Sequence, residues 1–132
     1  MTVDPDGYVW VCTTSSVGRF DYETETWQTA NVTAGLGCMA DENGVLWTGG
    51  SSAINGIDTE TLQPVDSIPT PSYLRGVSLD FDGTVWGVSL SGSAYKCDPD
   101  TKVCETVGSL GYPYTYSDMT GYALSNAGSA AN

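Results

Sequence analysis

The sequence predicts an all-β fold of β-propeller blades, each with four antiparallel strands, in a ring that one chain leaves incomplete. Three observations lead there. A seven-residue turn motif occurs three times, as DPDGYVW at 4–10, DENGVLW at 41–47 and DFDGTVW at 80–86, spaced by 41 − 4 = 37 and 80 − 41 = 39 residues. A second motif (Asp21-x-Glu23-Thr24, Asp58-x-Glu60-Thr61, Asp98-x-Asp100-Thr101) follows each copy, spaced by 58 − 21 = 37 and 98 − 58 = 40. Between the turns lie runs of four to seven residues rich in Val, Tyr, Trp, Phe and Thr, with no helix-period stretch. Two motifs sharing a period of 37–40 residues define a repeat, and four strands in that length match one propeller blade.

Each element has a local reason. In Asp-x-(Asp/Asn)-Gly the first Asp accepts backbone N–H bonds as an Asx turn, and the Gly supplies a positive φ. Asp4, Gly7, Asp41, Gly44, Asp80 and Gly83 are therefore structural. Trp10, Trp47 and Trp86 should fill the space between neighbouring blades, because one face of each sheet is buried against the next. Blades are expected at about 1–34, 35–71 and 72–111. The third reads most clearly: RGVSLD as inner strand, TVWGVSL as second, AYKCD as third and KVCETVGS as fourth. Residues 112–124 place Ser117-Asp118-Met119-Thr120-Gly121 at the inner-turn position and read as half a fourth blade; 125–132 form a small-residue tail.

Composition narrows the function. The 132 residues suit one domain, with 16 acids against 4 bases, a net charge of −12 and a pI near 4.1. Such a charge repels phosphate backbones and anionic bilayers, so neither nucleic acid nor a membrane surface is an expected partner. No apolar run approaches the length of a membrane span. The acids promote solubility first, and cationic partners second. Calcium does not follow from the Asp-rich turns, since no copy supplies both the ligand at position five and the bidentate Glu at position twelve of an EF-hand loop. No signal peptide follows Met1, which a removed leader would explain.

Four cysteines without a CxxC motif point to disulfides in an oxidising compartment, extracellular or periplasmic. Cys97 and Cys104 flank DPDTKV across a hairpin and are expected to bond. Cys12 and Cys38 come from neighbouring blades, and their pairing stays open. Asn31-Val32-Thr33 is a formal glycosylation sequon.

Catalysis has few candidates. The chain has no His, so acid–base work would fall to Asp, Glu, Tyr or Lys. The acids lie mostly in the two turns of each blade, where solvent should keep their pKa values ordinary. No nucleophile elbow, phosphate loop or metal-type spacing occurs, and no cofactor is expected. The opposite rim is rich in Ser, Thr, Gly, Asn and Tyr, residues that offer adaptable hydrogen bonds and flat aromatic faces. Ser15, Ser16, Ser51, Ser52, Tyr73, Ser91, Tyr112 and Tyr114 are the candidate ligand-binding residues there, suited to a carbohydrate or a peptide.

DPDGYVW, DENGVLWTGG and DFDGTVW, each followed by an (F/I/C)-D-x-(D/E)-T turn, resemble virginiamycin B lyase-like propeller repeats over roughly residues 2–124. They are similar also to NHL, gluconolactonase-like and sensor-kinase regulator propellers, which share the Asp-x-x-Gly-x-x-Trp turn. The lyase resemblance implies a His base with a divalent metal, but this chain has no His to take that role. The gluconolactonase resemblance implies a metal on Glu and Asn residues in a central channel, yet no Asn lies on the expected inner strands. Fold likeness alone gives no activity.

The sequence thus points to a non-enzymatic propeller scaffold for extracellular recognition or self-assembly. Three and a half blades leave open faces at each end, so self-association, as a closed dimer or a filament, is expected. A cut from a longer propeller would have the same open ends. The alternative is a segment of a lyase-like or lactone-hydrolysing propeller whose catalytic residues lie elsewhere.

Overall fold

A computed structural model describes residues 1–113 and 115, and among them are twelve strands. The expected half blade (112–124) and tail (125–132) fall almost wholly outside these residues. The strands are β1 (Thr2–Val3), β2 (Val9–Cys12), β3 (Ser16–Asp21), β4 (Thr26–Asn31), β5 (Cys38–Ala40), β6 (Val45–Thr48), β7 (Ala53–Asp58), β8 (Pro64–Pro69), β9 (Leu74–Leu79), β10 (Val85–Ser89), β11 (Ser93–Cys97) and β12 (Cys104–Ser109). They form three antiparallel four-stranded sheets in chain order, β1–β4, β5–β8 and β9–β12. No helix occurs among the described residues, and the sheets do not close into a barrel. The all-β expectation holds, and the arrangement fits an incomplete propeller of three blades.

The first turn of each blade is built as its sequence dictates. Asp4 Oδ1 accepts the backbone N–H of Asp6 (3.1 Å) and of Tyr8 (2.9 Å). Asp41 does the same for Asn43 and Val45, and Asp80 for Asp82 and Thr84. Gly7, Gly44 and Gly83 take φ values of 88°, 80° and 81°, a region where a Cβ is disfavoured. The second carboxylate oxygen has its own task. It accepts the indole N–H of Trp10 (2.7 Å), Trp47 (2.9 Å) or Trp86 (2.8 Å), tying the turn to the strand that follows.

The second turn, between the third and fourth strands, holds a surprise for sequence reasoning. Asp21, Asp58 and Asp98 accept the backbone N–H groups two and three residues on. The residue four places after each Asp is left-handed: Glu25 (φ 55°), Leu62 (φ 60°) and Lys102 (φ 61°). None is Gly or Asn, so the usual marker of that conformation is missing.

The cores lie between blades. Trp10, Cys12 and Val17 of the first blade pack with Cys38, Ala40, Leu46, Ile57 and Leu62 of the second. Met39, Trp47, Ile54 and Ile68 of the second blade pack with Leu74, Val77, Leu79, Val85, Tyr95 and Cys97 of the third. The outer strand β4 is almost wholly exposed. Two disulfides staple this stack. Cys12–Cys38 crosses the first junction, and Cys97–Cys104 joins directly opposed residues of β11 and β12.

Candidate functional site

Antiparallel pairing sends both Asp turns of each blade to one rim and the remaining connections to the other. On the second rim lie Ser15 and Ser16 (after β2), Ser51 and Ser52 (after β6) and Ser91 (after β10), with Tyr73 and Tyr112 in the connectors after β8 and β12. Tyr114 lies outside the described residues. Each connection is held from the following connector by one repeated bond. Val32 N–H donates to Ser15 O (3.0 Å), Thr70 N–H to Ser52 O (2.9 Å) and Leu110 N–H to Gly92 O (2.6 Å). Ser15, Ser51, Ser52 and Ser91 are exposed, and the Tyr112 side chain is 95% exposed. The described candidates therefore lie in corresponding connections along one rim.

On the acidic rim the carboxylates are mostly occupied by turn bonds. Asp58 lies below the ordinary carboxylate value because Thr61 donates its hydroxyl and its backbone N–H to it. Asp21 is lowered first by the hydrogen bond of the Thr24 side chain, and Asp98 first by the backbone N–H of Thr101. At Asp80 burial pushes upward, but the bonds from Trp86, Thr84 and Asp82 outweigh it and the pKa is lowered. The expectation of ordinary values is corrected at these four residues: solvent is present, but fixed donors stabilise the charged form more. A cleft of about 780 Å³ opens on this rim, lined by Asp41, Asp80, Asp98, Asp100, Glu105 and Lys96 among others, and by none of the hydroxyl-rim candidates. Among the described residues no group of three or more His, Cys, Asp or Glu side chains is arranged to hold a metal ion.

The blade faces carry a feature that sequence reading missed. In each blade the Trp belongs to a cross-strand row: Trp10–Arg19–Gln28, Trp47–Gly56–Asp66 and Trp86–Lys96–Glu105. Arg19 lies over the rings of Tyr8 (4.5 Å) and Trp10 (5.9 Å), bonds Gln28, and reaches across the junction to the Thr59 carbonyl. The middle row has Gly56 at that place, where a Cβ would stand 2.8 Å from Asp66 Cβ. Its cation comes from the next blade instead. Lys102 lies 6.0 Å from the Trp47 ring, pairs with Asp66 and bonds the Pro99 carbonyl. Thr59 and Pro99 each follow the Asp of a second turn, so both junctions place a cation between a Trp and the same carbonyl. The signal was present as a constant Asp-to-Trp spacing and three of the chain's four basic residues, but no local pattern links Lys102 to Trp47.

No protein-family model and no curated protein sequence matches the chain. Solved structures do resemble it in fold. Hydrazine synthase of Kuenenia stuttgartiensis aligns with a TM-score of 0.71 at 15% identity, over 84% of this chain and 35% of that one. The extracellular domain of a putative hybrid two-component system of B. thetaiotaomicron aligns with a TM-score of 0.64 at 18% identity, over 91% of this chain and 18% of that one. The extracellular domain of a putative one component system of B. thetaiotaomicron gives a TM-score of 0.59 at 19% identity, over 92% of this chain and 18% of that one. The chain thus spans between 18% and 35% of the length of these proteins, and the likeness is one of fold. The two disulfides agree with the oxidising compartment that the four cysteines led us to expect. No helix among the described residues is long and apolar enough to cross a membrane.

Proposed function

We propose that this chain is a non-enzymatic β-propeller segment for extracellular recognition, whose hydroxyl-rich rim binds a carbohydrate or a peptide and whose open end blades self-associate. The repeated bond that pins each rim connection carries the reading. It fixes the backbone of three equivalent loops while leaving their hydroxyls and Tyr112 exposed. Loops ordered before binding lose less entropy on binding, which favours affinity from modest contacts. The carboxylates of the other rim suit this division of labour. Those held low by turn donors are poor proton donors near neutrality, where a general acid needs a raised pKa.

Screening the full chain against glycan and peptide panels tests the reading. Tyr73→Ala and Tyr112→Ala are expected to weaken the ligand found by about tenfold each, in the range of an aromatic contact at a binding surface, with the melting temperature unchanged. Binding that survives both changes would refute the rim. Turnover of any substrate, abolished by Asp41→Asn at unchanged melting temperature, would favour the enzyme alternative.

A further inference from the structure

The two junctions inside the chain form a template for a third. At each, the Trp row of one blade meets a second row on the next blade, one residue back along the strand and so facing the other way. Those receiving rows are Leu46–Ile57–Pro64 and Val85–Cys97–Cys104. Leu46, Ile57, Val85 and Cys97 are all fully buried by the contact. The first blade has the same row, Val9–Phe20–Trp27, and none of its residues belongs to either interblade core. Val9 and Phe20 are half-buried, and Trp27, 5.0 Å from Phe20 between ring centroids, is 55% exposed. The third blade has the converse. Trp10 and Trp47 are buried, but Trp86 is only half-buried, and Lys96 lies exposed 5.8 Å from its ring.

We propose that these two faces, each without a partner blade among the described residues, meet between copies: the Trp86–Lys96–Glu105 row docks on the Val9–Phe20–Trp27 row of a second copy. The inference rests on the reading of the chain as an open run of blades. Charge complementarity selects a second copy as the occupant. Lys96 is the counterpart of Arg19, which bonds the carbonyl after a second-turn Asp. In a second copy that carbonyl belongs to Tyr22, in the acidic turn Asp21-Tyr22-Glu23-Thr24-Glu25. Glu25 holds the position of Leu62, which packs beside Trp10, and of Lys102, which lies by Trp47. At the new junction Glu25 therefore faces Trp86 and Lys96, and the pair is opposite in charge. Two copies bring 2 × 3 = 6 described blades, within the range of roughly four to eight for closed propellers. Closing that ring uses the same junction twice and leaves no uncovered Trp row among the described blades.

Sedimentation of the full chain over about 1–100 µM reads the association directly. The mass is expected to rise from 13.9 kDa toward 2 × 13.9 = 27.8 kDa. Lys96→Glu should raise the dissociation constant by about tenfold or more, and Glu25→Lys alone should also weaken association. The double variant should return close to the original value, since only a direct pair is repaired by exchange. Lys at position 25 is compatible with the turn, because Lys102 fills the equivalent place in blade three. Trp27→Ala tests the apolar half and should weaken association with the fold retained. A filament dissolved by Lys96→Glu supports the same junction. A wild-type monomer throughout, or association indifferent to Lys96→Glu, overturns it. A monomer that still binds a rim ligand would defeat the junction and leave recognition standing; a self-associating chain without a rim ligand would do the reverse.

Discussion

At Trp47 three donors converge on one carboxylate: the indole N–H and the backbone N–H groups of Asn43 and Val45 all bond Asp41. Asp41→Asn keeps an oxygen for the turn but turns an amide N–H₂ toward the indole N–H. We expect it to lose about 1.5–3 kcal/mol, the worth of a hydrogen bond to a charged group, visible as a lower urea midpoint. Stability equal to the parent would show that the indole bond contributes nothing. The turn itself was legible from Asp-x-x-Gly. The indole bond was not, because a spacing of six residues announces contact only once the turn geometry is known. The second turn was legible in its Asp and opaque at Glu25, Leu62 and Lys102. At two of these, tertiary partners (Leu62 in a core and Lys102 on Asp66) hold a conformation that local propensity disfavours.

Four turn carboxylates contribute to the response to acid. Asp21, Asp58, Asp80 and Asp98 have folded pKa values below the ordinary 3.8. Their contribution is therefore fully present above that value and is lost as pH falls through the lower folded values. A net charge of −12 adds an opposing effect, since protonation relieves self-repulsion on the way down to the pI near 4.1. The melting temperature should hold or rise from neutrality toward about pH 4 and then fall steeply below it. Salt should flatten only the first part, because repulsion is screened and the turn bonds are short. A melting temperature flat down to about pH 2 would contradict the assignment.

At the scale of elements, equivalent positions receive different chemistry. The pair opposite one another beside the second turn is Phe20–Trp27 in the first blade, Ile57–Pro64 in the second and a disulfide in the third. The Cys97–Cys104 bridge was readable because a hairpin register puts both residues opposite each other. Cys12–Cys38 was not, since its geometry exists only once two blades are packed. Their energetic weights should differ. With sequence separations of 7 and 26 residues, chain-entropy estimates give about 2 kcal/mol for the first and about 3.5 for the second. Replacing each pair by Ala and comparing urea midpoints should therefore order them, Cys12–Cys38 the more costly. Equal losses, or the reverse order, would mean that burial of Cys97 dominates over loop closure.

Among the described residues the cores join the first blade to the second and the second to the third, so stability should grade along the chain as in other repeat proteins. The second blade has both faces covered, by Trp10 and Val17 on one side and by Val85 and Tyr95 on the other. The first has one face open, and its outer strand β4 is almost wholly exposed. Amide hydrogen exchange reports such local opening. Under dilute conditions the amides of β6 and β7 should be the slowest to exchange, with β10 close behind, and those of β4 the fastest of the paired strands. Raising the concentration should then slow β2 and β3 together with β10 and β11, because these strands carry the two rows proposed to meet, and leave β6 and β7 unchanged. Protection that rises uniformly with concentration would indicate nonspecific association instead. Protection of β4 equal to that of β6 in dilute solution would show that the blades open as one unit, and the nearest-neighbour description would fail.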